Sequence, residues 1–130
     1  MRYLLLIFPF ILFTSCYEKE RNCADFKTGT FEFNYIIDGE EKTGRFVRTD
    51  SLNIDYFENK IDTASIRWIN DCEFVMKKLH PKNMSEEKAI HMKILTTSED
   101  SYTFEYSLAV KEANKQRRVE KGVAKKVKDY

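Results

Sequence analysis

Tyr102-Thr103-Phe104-Glu105-Tyr106-Ser107-Leu108-Ala109-Val110 decides the fold. Tyr102, Phe104, Tyr106, Leu108 and Val110 fall on one face. Thr103, Glu105, Ser107 and Ala109 fall on the other. Side chains alternate across an extended chain, so this pattern is that of a half-buried β-strand. The same period recurs on both sides of it. Upstream, Ile90, Met92 and Ile94 alternate within 89–97, and a strand is expected over 72–79. Ala64, Ile66 and Trp68 share a face within 62–69. Leu52, Ile54 and Tyr56 are expected to point inward from the short strand 52–56, and another strand covers 42–48. Thr30–Ile37 places Phe31, Phe33, Tyr35 and Ile37 together, and Asp38-Gly39 after it is a strong hairpin signal. Downstream, a last strand is expected over 119–127.

About eight strands with no long amphipathic helix predict an all-β domain, a single antiparallel meander. An eight-stranded up-and-down, lipocalin-like barrel removes its sheet edges by closing. Its interior is either filled by side chains or holds one small ligand. A half-barrel or sandwich is the alternative. Phe33, Tyr56, Trp68, Phe104 and Tyr106 are the candidates for the core or for a ligand lining. Ser85-Glu86-Glu87 is expected to form one helical turn.

Ahead of the β-region, residues 1–15 have the parts of a secretory signal peptide, expected to be helical. Arg2 supplies a positive charge, Tyr3–Phe13 an apolar run, and Thr14-Ser15 small residues before Cys16. The run is too short to span a bilayer, which takes about 20 residues. Leu12-Phe13-Thr14-Ser15-Cys16 resembles a bacterial lipobox, in which the cysteine takes a diacylglycerol and becomes the new N-terminus. This divides the chain into a signal at 1–15, a lipidated tether at 16–27 and a β-domain at 28–130. The expected address is across the inner membrane, with a lipid anchor in the cell envelope, at the outer membrane.

Without residues 1–15 about 115 residues remain, enough for one domain. The segment carries one Arg and no acid, so the rest holds 21 basic and 21 acidic residues. That balance predicts no general attraction to nucleic acid. With Cys16 lipidated, Cys23 and Cys72 remain as an even pair. In an oxidising compartment they are expected to form a disulfide, two unpaired thiols being the alternative. The bridge would close a loop of about 50 residues and contribute about 4 kcal/mol.

The chain shows no catalytic constellation. His80 and His91 sit in neither an HExxH nor an HxH arrangement, so no metal or catalytic role is assigned to them. Glu40-Glu41, Glu86-Glu87 and Glu99-Asp100 fall at expected turns, where solvated surface is the simpler reading. Gly29, Gly39 and Gly44 match no phosphate loop, and no cofactor is expected. Eight Lys/Arg between Lys111 and Lys128 lack interleaved aromatics to stack on bases. They are expected to protect an edge strand.

Cys23-Ala24-Asp25-Phe26-Lys27-Thr28-Gly29-Thr30-Phe31 and Ile66-Arg67-Trp68-Ile69-Asn70-Asp71-Cys72-Glu73-Phe74 resemble motifs of a group of small flavobacterial lipoproteins. His80–Met84, Met92–Thr97 and Ser101–Tyr106 are similar to it as well. The resemblance implies an envelope lipoprotein, with no activity to carry over. Members often bear the name DNA topoisomerase IV. A chain this short, with no phosphate loop and an export signal, gives that name no physical support.

Two functions are therefore expected to compete. One is a non-enzymatic envelope lipoprotein, structural or bound to a partner protein. The other is a lipocalin-like carrier of a small apolar ligand. An interior packed solid by the five candidate aromatics would count against both the carrier and an enzyme. An enzyme would need a concave polar site holding a perturbed titratable group.

Overall fold

The computed structural model describes residues 20–129. The strands are β1 (Gly29–Ile37), β2 (Glu40–Arg48), β3 (Leu52–Phe57), β4 (Lys60–Asn70), β5 (Glu73–Lys78), β6 (Ile90–Thr97), β7 (Ser101–Leu108) and β8 (Glu120–Lys128). Each pairs antiparallel with its sequence neighbour, and β8 returns to β1 to close the barrel. The half-barrel and sandwich alternatives are thereby excluded. The expected signal helix at 1–15, Cys16 and the first tether residues lie outside the described residues.

Local chemistry sets the corners. Asp38-Gly39 joins β1 to β2 with both residues at positive φ, 52° and 77°. Glu58-Asn59 does the same between β3 and β4, at 48° and 60°. Two consecutive left-handed residues form the tight turn whose twist matches that of the strands. Around Asp50-Ser51, the Thr49 amide donates to the Leu52 carbonyl and the Leu52 amide donates to Thr49 Oγ1.

One end of the barrel is closed by the chain that enters it. Cys23–Phe26 forms a single 3₁₀ turn, with Cys23 and Phe26 buried. This turn lies within residues 16–27, the segment expected to be a tether. Arg21 Nη1 donates to the Ile94 carbonyl, and the Asn22 amide donates to Thr97 Oγ1. Cys23 is bonded to Cys72 beside β5, as expected. Above this plug lie Phe31, Phe46, Ile94, Tyr102 and Ala124. Phe31 stacks on Phe46 at 4.9 Å between ring centroids, and Tyr102 meets Phe31 edge-on at 5.7 Å.

Two expectations are corrected. Tyr56 does not face the interior: it pairs with Arg45 on the outer surface and is 40% exposed. The tight turn at Asp50-Ser51 sets Arg48 opposite Asn53, and Arg48 shares the inward face of Phe46. Asn53 and Asp55 must then turn inward, and Leu52, Ile54 and Tyr56 outward, because a one-residue change of register exchanges the faces. The second correction concerns β8. It is paired with β7 along Glu120–Lys125 and with β1 at Lys125–Lys128, so its lysines guard no free edge.

Candidate functional site

The plugged end and the opposite end differ in how they are filled. At the opposite end are the loops 79–89 and 109–119, joined to each other by Lys88 and Glu112. Below them a cavity of about 120 Å³ lies within the barrel. Its apolar wall is Phe33, Phe46, Met76, Met92 and Phe104, and its polar wall is Arg48, Asn53, Asp55 and Tyr102. It adjoins a wider mouth of about 340 Å³, with which it shares Asp55 and Met76. The mouth alone reaches the range of about 300–1,000 Å³ typical of small-molecule sites.

Two glycines help keep this space open. Phe33 is paired across strands with Gly44, and Phe104 with Gly122. In each case the ring lies where the glycine's missing Cβ would stand. Both rings therefore lie along the wall. A side chain at either glycine would push its ring away from that wall.

Arg48 is 1% exposed and forms the floor. Its Nη2 donates to Tyr102 Oη at 2.8 Å, its Nη1 to the Phe26 carbonyl at 3.1 Å and its Nε to Asn53 Oδ1 at 3.4 Å. The rings of Phe31, Phe46, Phe74 and Tyr102 surround the guanidinium, with centroids 4.7–5.7 Å away. Such contacts stabilise a desolvated cation. Asn53 Nδ2 then donates to Asp55 Oδ2 at 3.0 Å. Arg48, Asn53 and Asp55 thus form a chain from floor to mouth, the amide standing between the two charges.

Burial pushes the Asp55 carboxyl up to about 6, against the pull of the Asn53 hydrogen bond. Asp62 pushes the same way, while Arg48 and Lys78 oppose it. At the mouth Lys78 Nζ bridges Asp62 at 2.7 Å and Glu86 at 3.3 Å. The Asp62 hydrogen bond leads in holding Lys78 above its ordinary value. Glu86 also accepts from the Lys82 amide, the leading cause of its lowered pKa, which braces loop 79–89 on itself while Lys78 holds it to β5. Lys88 ties the same loop to Glu112 of the next one.

The expected lining residues separate in three dimensions. Phe33 and Phe104 border the cavity. Tyr106 continues their row toward the rim, 6.2 Å from Phe104, and is 38% exposed. Trp68 lines neither space; it packs on Phe74 at 4.6 Å, under Lys27 Nζ. Cys72 lies against the core at the plugged end. Glu86, read from sequence as solvated surface, is a rim residue paired with Lys78. Arg48, Asn53 and Asp55 were not singled out as site residues. Their signal was the polar residue two after Phe46, followed by a two-residue turn.

No protein-family model and no curated protein matches the chain. The barrel is compatible with a carrier of small ligands, and the site's own chemistry must supply the rest.

Proposed function

We propose that this chain is a lipid-anchored protein of the cell envelope whose barrel holds a small, largely apolar molecule in its open half. One observation carries the binding role: an interior cavity walled by Phe33, Phe46, Met76, Met92 and Phe104 adjoins a mouth wide enough for a small molecule. A purely structural lipoprotein has no need of that space, since empty apolar volume costs stability. The address rests on the signal-like residues 1–15, the lipobox-like Leu12–Cys16 and the resemblance to small envelope lipoproteins. A disulfide at Cys23–Cys72 fits an oxidising compartment.

A carboxyl with a raised pKa inside a concavity also suits an acid–base enzyme. Binding is the better fit, because the inner cavity presents no Ser, Thr, Cys or His as a nucleophile or base. Asp62, the neighbouring carboxylate, is occupied by Lys78.

The test of binding is titration with N-phenyl-1-naphthylamine, a neutral apolar fluorophore, followed by its displacement. Saturable, displaceable fluorescence at one site per chain is expected, and its absence would remove the carrier role. For the anchor, metabolic labelling with a clickable palmitate should mark the wild type and not Cys16→Ser. Equal labelling of both would remove the anchor.

A further inference from the structure

The cavity floor holds more hydrogen-bond donors than acceptors. A guanidinium has five N–H groups, and Arg48 places three of them on Asn53, Phe26 and Tyr102. Tyr102 Oη accepts one of these, which leaves its own O–H to donate, and no described group accepts it. Asn53 gives one amide hydrogen to Asp55 and keeps a second. Arg48, Tyr102 and Asn53 are 1%, 2% and 3% exposed, so these donors have little access to bulk water. Among the described residues no carboxylate makes ion-pair contact with Arg48, a buried cation whose link to Asp55 runs through the Asn53 amide. Buried charges are ordinarily paired, and all three residues border the cavity. An anionic acceptor is the group this floor lacks.

We propose that the cavity takes the carboxylate head of a short, chain-like apolar acid, bound by Arg48 and the Tyr102 hydroxyl, and that Asp55 is protonated when the head enters. The proposal rests on the cavity being a ligand site. The acid's chain runs past Phe33, Met76, Met92 and Phe104 toward the mouth. The inner volume of about 120 Å³ limits how much of it is enclosed.

Asp55 supplies the condition because it borders the same cavity. Two carboxylates in one desolvated space cannot both remain ionised without cost. Asp55 is faced by Arg48 from β2, Asp62 from β4, Lys78 from β5 and Tyr102 from β7, with Glu86 beyond at the rim. An incoming carboxylate adds a like charge and raises the Asp55 pKa further, so binding takes up a proton. Affinity must then fall as pH rises through the Asp55 midpoint near 6. A cationic ligand held by ionised Asp55 would show the opposite slope, so the sign of the pH dependence separates the two charge types.

The experiment displaces N-phenyl-1-naphthylamine with octanoate, octanol and octylammonium, at about pH 5.5 and about pH 7.5. It uses the wild type, Asp55→Asn and Tyr102→Phe. Octanoate should bind best at the lower pH and weaken about tenfold or more at the higher, following the fraction of protonated Asp55. Octanol should not respond to pH. In Asp55→Asn, octanoate should bind equally at both pH values, near the stronger wild-type level. Tyr102→Phe should weaken octanoate severalfold more than octanol. Should Asp55→Asn fail to fold, octanesulfonate, which is ionised at both pH values, decides in the wild type. It should weaken from the lower to the higher pH as octanoate does, and an affinity unchanged with pH would overturn the head-group assignment. If the fluorophore binds but octanoate gains nothing over octanol, or octylammonium binds best and tightens with pH, the head-group assignment is overturned and the cavity role stands. If the fluorophore and all three ligands fail to bind, both are overturned.

Discussion

Phe31 and Phe33 stand two residues apart on the same face of β1, yet they meet different surroundings. Phe31 is wholly buried, stacked on Phe46 and roofed by Arg48. Phe33 is half-buried, lies against Gly44 and borders a cavity. The repeat that places both inward is identical. The difference comes from what the other strands and the N-terminal turn bring to each level of the barrel. At the lower level a 3₁₀ turn, a disulfide and a ring-enclosed guanidinium fill the lumen. At the upper level glycines, methionines and an unpaired carboxyl leave it open.

Truncating the two rings should give the largest contrast between the levels. Phe31→Ala should cost about 3–5 kcal/mol, as for a fully enclosed phenylalanine. Phe33→Ala should cost well under half of that, since one side of its ring already faces empty space. Urea denaturation of the two variants measures the contrast, and equal losses would mean that the barrel is uniformly packed. Next in size, replacing both Cys23 and Cys72 with Ala should lower stability by about 4 kcal/mol, judged by the 49-residue separation they span. That loss should fall on the plugged end. Hydrogen exchange should rise most at Ile94 and Thr97, where Arg21 and Asn22 are held.

On the open side the corresponding probe is Asp55. Its carboxyl stands at about 6 in the folded chain, against an ordinary 3.8. Below about pH 4 it is protonated whether folded or not, and it then contributes no pH-dependent difference. Between about pH 4 and about pH 6 the unfolded chain releases this proton while the folded chain retains it, so stability falls across that range, and the loss is complete once pH has passed the folded value of about 6. Asp55→Asn should therefore stabilise the protein by up to about 3 kcal/mol at neutral pH, with the gain gone below about pH 4. Unfolding midpoints across that pH range test it, and a gain that grows toward acid would contradict it. Smallest of all, Tyr56→Ser should change stability by less than about 0.5 kcal/mol, because the side chain lies on the outer surface.

Much of this was legible in the sequence. Alternation placed Phe33, Phe104 and Tyr106 on inward rows, and Asp38-Gly39 placed the first hairpin. Once closure put β8 beside β1, the strand count became a barrel. Tyr56 misled because Leu52-Ile54-Tyr56 is as regular an alternation as the true inward rows. In β3 the apolar set lies on the outer surface, and the polar set meets Arg48. Apolar patterning could not report that inversion. Hairpin register could, since Phe46 and Arg48 share a face and a two-residue turn sets Arg48 opposite Asn53. The depth of the cavity was not legible, since it depends on two rings lying against glycines of neighbouring strands, which only the cross-strand pairing brings together.

If the open half of the barrel is a binding space, filling it must abolish binding. Met76 borders both the inner cavity and the mouth. In Met76→Trp, with folding verified by urea denaturation, titration with N-phenyl-1-naphthylamine should lose the saturable site that the wild type retains. Undiminished binding in that folded variant would mean that the open half is not the binding space.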